Sequence, residues 1–245
     1  MRQMNFTYQA YADMLALLKD GGYRFCDYHT CAQQPRCVIL RHDIDTSLEQ
    51  ALRLAEVEAA QGVRSTWFVL LRTDFYNVFS LSARRSLQKL LALGHEVGLH
   101  FDEVAYGRPL SEEETVRNIQ TECGILSTVL ERPVTCVSMH RPSQATLEAD
   151  LQIPGIVNSY GKTFFRDFKY LSDSRRRWRE PVLDIIRTGE YDRLHILTHA
   201  FWYHEQEEDI AETVGNFVRA ANGERYVQMK DNITDLASIL REDEV

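Results

Sequence analysis

Short apolar runs alternate with segments of helical periodicity along most of the chain. The runs predict strands at about 37–41, 65–71, 95–100, 134–139, 156–158, 168–172, 182–187 and 193–199. Apolar residues at helical spacing predict helices over about 7–18, 47–61, 82–93, 111–130, 143–150, 206–221 and 231–241. Alternation of strands and helices at this spacing predicts βαβ units and a mostly parallel sheet, and therefore an α/β protein.

Length and composition narrow the class of protein. A chain of 245 residues with 44% hydrophobic content fits one large domain over 1–245 better than two small ones. No apolar run approaches the roughly 18 residues of a membrane span, and the first residues contain no signal-peptide core, so we expect a cytoplasmic protein without a membrane span. The net charge of −8 disfavours binding to nucleic acid, and five cysteines without a CxxC pair disfavour both a disulfide framework and a cysteine-type zinc site.

Two carboxylates follow the first long strand run. Asp43 and Asp45 are two residues apart, and side chains at this spacing on a strand point the same way. Two like charges so close raise a pKa unless a cation or hydrogen bonds compensate. The pair therefore predicts a metal site or an acid/base site.

Three histidines occupy the equivalent place on later strands. His100, His140 and His199 each stand at the end of a different strand-like run. In a parallel α/β barrel the C-terminal ends of the strands converge on one mouth, where catalytic groups collect. We therefore expect these side chains to face the same cavity as the two aspartates.

The segments at these strand ends resemble a known family, the polysaccharide deacetylases of the NodB-homology type, carbohydrate esterase family 4. The segment 94–100, GHEVGLH, resembles the family segment GHEIGNH. Three further segments are similar to family motifs: the D-x-D pair 43–45, the His-Arg-Pro at 140–142 and the closing strand 196–199. The resemblance spans about residues 37–203, and the order of the motifs gives it weight.

The resemblance implies an irregular (β/α) barrel of about seven parallel strands and an enzyme, a metal-dependent hydrolase that removes the acetyl group of an N-acetylated sugar. Within that family the chain is most similar to the cytoplasmic members associated with surface-polysaccharide (O-antigen) biosynthesis. The substrate could then be nucleotide-linked. It implies Asp43 as general base, Asp45 and His100 as metal ligands and His199 as general acid. Arg141 is expected to orient Asp43 or, alternatively, to anchor a loop, and zinc is the expected divalent metal.

One position departs from the family pattern. The family has a second metal-binding histidine four residues after the first, where this chain has Val104. Because catalytic zinc takes three protein ligands, we predict that His140 replaces it, with Asp102 as second choice and a chain without metal as third. A sugar-binding pseudoenzyme and a metal hydrolase of a non-sugar amide therefore stay open as alternatives.

The remaining histidines and a group of larger side chains receive weaker predictions. His42 and His95 should face away from the site and are predicted to be structural. Candidate substrate-binding residues are Trp202, Trp178 and Arg175. The arginines of segment 175–179 could bind the diphosphate of a nucleotide-sugar or an anionic sugar, or could belong to a solvated loop.

Overall fold

The computed structural model describes residues 4–245. The chain divides into two compact units, one that ends at Glu205 and one that comprises Gln206–Val245. The motif-bearing region 37–203 lies within the first unit, and the single domain over 1–245 stays a prediction. Within residues 4–245 no helix has the length and apolar character needed to cross a membrane.

The first unit is built on a parallel sheet. Its strands are β1 (Arg24–Cys26), β2 (Cys37–Ile44), β3 (Thr66–Leu70), β4 (Glu96–Asp102), β5 (Cys136–His140), β6 (Val157–Asn158), β7 (Lys169–Ser172) and β8 (Arg193–Thr198). Seven of them follow the order β6-β5-β4-β3-β2-β8-β7, and β1 pairs with the first half of β2. Every strand pairing is parallel, which confirms the predicted α/β class with seven parallel strands.

Helices connect the strands. They are α1 (Tyr8–Asp20), α2 (Leu48–Ala60), α3 (Leu81–Ala92), α4 (Glu112–Leu130), α5 (Gln144–Ala149), α6 (Lys162–Arg166), α7 (Val182–Thr188) and α8 (Ile210–Lys230). Side-chain caps fix several of their starts. Ser111 and Glu114 form a reciprocal capping box at α4, which satisfies backbone N–H groups that have no partner within the helix.

Two predictions of local structure are wrong, and one strand was not predicted. Segment 182–187 is helix α7, not a strand, because Val182 and Ile186 are buried at helical spacing and Gly189 ends the turn with φ +61°. The predicted helix over 231–241 is absent apart from a short 3₁₀ turn at Leu236–Ser238, since α8 itself continues to Lys230. Strand β1 has only three residues, too few for a periodic signal.

Alternation along β2 divides the core of the first unit. Val38 and Leu40 point outward and pack in the large cluster beneath the helices. Cys37 and Ile39 point inward to a second cluster, together with Phe68. The same alternation continues beyond Leu40, so it also decides which polar side chains face inward.

The sheet curls strongly into a half-barrel. Asp43 on β2 lies 3.4 Å from the hydroxyl of Ser138 on β5, although two strands separate them. In a flat sheet that separation is roughly 14 Å. Gly98 on β4 permits the curvature, because a Cβ there would meet Phe68 at 2.6 Å and Cys136 at 2.7 Å. The C-terminal strand ends are thereby gathered into one mouth.

Candidate metal centre

Three candidate ligand atoms converge at the mouth. Nε2 of His100 lies 3.2 Å from Nδ1 of His140 and 3.3 Å from Oδ1 of Asp45. The third side of the triangle, from His140 to Asp45, is 3.4 Å. His100 is buried, and the other two are half-buried. The atoms come from the ends of β4 and β5 and from the residue just beyond β2, so the curl of the sheet brings them together.

The triangle fits a divalent metal. Zinc with ligands at about 2.0–2.1 Å in tetrahedral geometry places its ligand atoms roughly 3.3 Å apart. The hydroxyl of Ser138 lies 3.1 Å from Nδ1 of His100, which leaves Nε2 directed at the centre. Three protein ligands and one open position are typical of catalytic zinc sites. Asp45, His100 and His140 are therefore the residues that could hold the metal.

Val104, which stands where the family that the sequence resembles has a second histidine, takes no part in this centre. Val104 lies in a 3₁₀ turn after β4 and is 53% exposed. Asp102, the second candidate ligand, is buried and accepts hydrogen bonds from Arg141 and from the backbone N–H of Val104. Its carboxylate is therefore already paired, whereas His140 reaches the other two ligands.

Asp43 lies beside the three ligand atoms and is held by an arginine of its own strand. Nε and Nη2 of Arg41 donate to its two oxygens at 2.9 and 2.8 Å. Burial raises the pKa of Asp43, but Arg41 and then His100 outweigh burial and keep the pKa below its ordinary value. The carboxylate is ionised, and one oxygen lies 3.6 Å from Nε2 of His100.

The predicted partner of Asp43 is therefore wrong. Arg141 pairs with Asp102 instead, and its backbone is left-handed with φ +49°. The fully buried Arg41 occupies the place expected for it and also stacks over Tyr160 at 4.7 Å. The sequence did carry a signal, because Arg41 stands two residues before Asp43 and shares its face of the strand.

His199 stands at the opposite side of the mouth. Its Nδ1 lies 2.7 Å from Oδ1 of the buried Asp173, which also accepts from the backbone N–H of His199. Burial lowers the pKa of His199, but Asp173 outweighs burial and raises the pKa to about 9. Nε2 remains directed toward the centre, 3.9 Å from Asp45. The imidazole is thus protonated at neutral pH and placed to donate.

Asp173 is a buried carboxylate in contact with His199. It follows the end of β7, the same position that marks the other site residues. We call Asp43, Asp45, His100, His140 and His199 the mouth cluster. Asp173 supports this cluster from outside, as Ser138 does at His100.

A second group of histidines lies behind β2. His42 and His95 are buried, as the alternation predicts, and both approach Glu58 of α2. Nε2 of His42 is 2.9 Å from Glu58, and the hydroxyl of Ser65 donates to the same carboxylate. We call His42, Glu58, Ser65 and His95 the buried cluster. It is separated from the mouth by the strand itself.

The three candidate substrate-binding residues lie in different environments. Trp178 is buried in the main hydrophobic core, so the prediction that it contacts substrate is wrong. Trp202 is half-buried in the 3₁₀ turn just after His199. Arg175 is exposed in the loop after β7. The last two stay predictions.

Comparisons with known proteins give matches in structure only. No protein-family model matches the chain, and no curated protein matches it. A carbohydrate esterase family 4 (CE4) pseudoenzyme from Bacillus anthracis, BA3943, is similar at 16% identity and TM-score 0.44, with 68% of this chain covered. This chain spans 55% of that protein.

Two further solved structures are similar. A family 4 carbohydrate esterase from Bacillus anthracis has 14% identity and TM-score 0.44 over 82% of this chain and 80% of its own. The deacetylase PplD of Streptococcus pyogenes, in complex with acetate, has 12% identity and TM-score 0.46 over 60% and 70%. At these identities and TM-scores the likeness carries no argument, and the chemistry has to come from the residues of this chain.

Proposed function

We propose that this protein is a metal-dependent N-deacetylase that removes the acetyl group from an N-acetylated sugar. The observation that carries the proposal is the triangle of Asp45, His100 and His140, whose sides of 3.2–3.4 Å match a tetrahedral metal. An ionised carboxylate and a protonated imidazole flank the triangle. Hydrolysis of an amide requires those two groups, one to accept a proton and one to donate it.

A divalent metal at this triangle would polarise the acetamide carbonyl and lower the pKa of water. Asp43 takes the proton from the water that attacks the carbonyl carbon, because Arg41 keeps its carboxylate ionised and fixed. General base catalysis of this kind contributes typically about 10²–10⁴-fold. Two imidazole nitrogens and a carboxylate oxygen suit zinc among the common metals.

His199 supplies the second proton. An amide nitrogen leaves poorly unless it is protonated, and His199 carries a proton up to about pH 9. Its bond to Asp173 fixes the ring so that Nε2, not Nδ1, faces the reacting group. Once the proton passes to the nitrogen, the carbon–nitrogen bond breaks to give acetate and the free amine. His199 becomes a neutral imidazole when it gives up that proton, and it stays hydrogen-bonded to Asp173.

The finer parts of the proposal rest on the sequence resemblance. It supports an N-acetylated sugar as substrate, a place in surface-polysaccharide (O-antigen) biosynthesis and location in the cytoplasm. The metal centre supports hydrolysis of an amide in general.

The test is acetate release by zinc-loaded protein from a panel of N-acetylated sugars and N-acetylated amino acids. We expect turnover on sugars, and we expect Asp43→Asn to lower it at least about 100-fold while one zinc per chain is retained. Asp20→Asn, an exposed carboxylate at the end of α1, is the matched control and should change neither quantity.

Each alternative has its own outcome. Turnover restricted to non-sugar amides would make this protein a different amide hydrolase. Zinc and sugar binding without acetate release would favour the sugar-binding pseudoenzyme. Loss of zinc in Asp43→Asn, equal to that in Asp45→Asn, would contradict the division between base and ligand.

A further inference from the structure

The loop between β7 and α7 contains three exposed arginines. Arg175, Arg177 and Arg179 alternate with inward side chains and are exposed. Of the inward ones, Arg176 lies over the ring of Phe6 at 4.9 Å, and Trp178 is buried. Inward anchors at every second residue hold the loop in place. The backbone that carries the exposed arginines is therefore anchored.

These three guanidinium groups make no ion pair with any carboxylate of residues 4–245. By contrast, two exposed arginines on helices, Arg53 and Arg187, pair with Glu49 and Asp184. In a chain of net charge −8, acidic partners are abundant. Three neighbouring arginines without one form a local positive patch, which attracts anions.

The backbone of this loop is strained where the arginines stand. Arg175 and Arg176 both have left-handed conformations, with φ +62° and +55°. Glycine or asparagine adopts this conformation at lower cost, so arginine at two consecutive such positions needs another reason. Strained residues of this kind cluster at ligand clamps.

The loop begins next to His199, the proposed proton donor. Its first residue, Asp173, bonds to His199 at 2.7 Å, and the backbone carbonyl of Asp173 accepts from the N–H of Arg177. Parallel strands end at one edge, so the loop borders the same mouth as the metal ligands. A group bound by the arginines would lie beside a substrate held at the mouth cluster.

We infer that Arg175 and Arg177, with Arg179, bind a phosphate group that the sugar substrate carries. Guanidinium groups bind phosphate through paired charge-assisted hydrogen bonds, which exposed arginines on an anchored loop can supply. A phosphorylated substrate could be nucleotide-linked or a simple sugar phosphate, and both share this chemistry. The inference rests on the proposed function for the sugar, whereas recognition of phosphate is measured by binding alone.

Calorimetry on the zinc-loaded protein tests the inference. The probes are inorganic pyrophosphate, UDP-N-acetylglucosamine, N-acetylglucosamine 1-phosphate and the neutral methyl glycoside of N-acetylglucosamine. We expect pyrophosphate to bind, with affinity that falls as salt rises, and Arg175→Gln/Arg177→Gln to raise its Kd at least about tenfold. Stronger binding of the UDP-sugar than of the 1-phosphate would identify a nucleotide-linked substrate, and equal binding a simple phosphate.

The control carries the same change of charge at the other end of the strands. Arg24 and Arg132 are exposed near the starts of β1 and β5, and Arg24→Gln/Arg132→Gln should leave the Kd of pyrophosphate unchanged. Arg175→Gly relieves the left-handed strain, so it should weaken binding while Tm stays level or rises.

Two results would overturn the inference. One is equal affinity of wild type and both double variants for pyrophosphate, which would place the anion at the metal or elsewhere. The other is no binding of pyrophosphate to the wild type. Both leave the deacetylase proposal intact, because acetate release from neutral sugars is measured separately.

Discussion

The mouth cluster and the buried cluster use the same residue types on opposite faces of β2, and they do different things. His42 points behind the strand to Glu58, whereas Asp43 points into the mouth. In the buried cluster every histidine nitrogen has its own protein partner. Nδ1 of His42 lies 2.6 Å from Thr198, and Nε2 of His95 lies 3.1 Å from the carbonyl of Ala55.

The mouth cluster instead directs its atoms at one point. Asp45, His100 and His140 approach one another within 3.2–3.4 Å, a distance that leaves a common centre for a cation. Histidines and carboxylates in contact are therefore not enough to identify a functional site. What distinguishes the mouth is convergence of ligand atoms together with access to solvent.

The two clusters should differ most in how their substitution affects metal binding. His140→Ala removes one of three ligands, so we expect the affinity for zinc to fall by more than the roughly 10–100-fold typical of lost outer-shell partners. His95→Gln, in the buried cluster, should leave zinc affinity unchanged. Competition with a chromogenic chelator measures both. Equal zinc affinity in wild type and His140→Ala would show that His140 is not a ligand.

Substitution in the buried cluster should lower the stability of the protein but leave zinc binding unchanged. Glu58→Gln removes the charge that both buried histidines approach, and we expect the free energy of unfolding to fall by about 1–3 kcal/mol. Zinc stoichiometry and turnover per folded molecule should not change. Urea unfolding with zinc and activity assays on the same preparation test this. A loss of zinc in this variant would show that the two clusters are coupled through β2.

The pH dependence of stability gives a further test of the buried cluster, through His95. Burial lowers the pKa of His95 and outweighs the opposing effect of Glu58. The unfolded chain therefore binds this proton at higher pH than the folded chain does, and the free energy of unfolding falls as pH drops below about 6.5. This group contributes at most about 1.4 kcal/mol per pH unit.

His95→Gln isolates that contribution. Urea unfolding of wild type and variant between pH 7 and 5 should give a shallower slope for the variant, because it has lost the group that the unfolded state protonates. Parallel slopes would mean that His95 is equally protonated in both states.

The smallest expected effect is that of a substitution in the mouth cluster on the stability of the metal-free protein. Burial and, more weakly, repulsion from Asp43 raise the pKa of Asp45, but the attraction to His100 and His199 outweighs them and keeps the pKa below its ordinary value, so Asp45→Asn loses a net attraction. We expect the free energy of unfolding of the metal-free protein to fall by at most about 1 kcal/mol, since Asp45 is only half-buried and its ion pairs are partly solvated. Unfolding in the presence of a chelator measures it. A large loss would mean that Asp45 stabilises the fold as Glu58 does.

Much of the site was predictable because local geometry dictates it. A two-residue period sends His42 away from Asp43 and Asp45 whatever the rest of the fold does. The apolar runs before His100 and His199 place both at strand ends, and parallel strands end at one edge. Because apolar runs mark the buried strands, the bounds of most strands were predicted within one to three residues. Segment 182–187 failed because its apolar residues suit a strand or a short helix equally, and only burial decides.

What the sequence alone determined is thus which side chains face the mouth. Which of them meet was decided by the tertiary structure, because distances between strand ends depend on how far the sheet curls. That curl brings His140 to the ligand triangle, where Val104 turns outward. It also places Arg41 against Ser138 and Asp43, while a left-handed backbone carries Arg141 to Asp102. A period of two residues specifies a direction, but only packing across four strands specifies a distance.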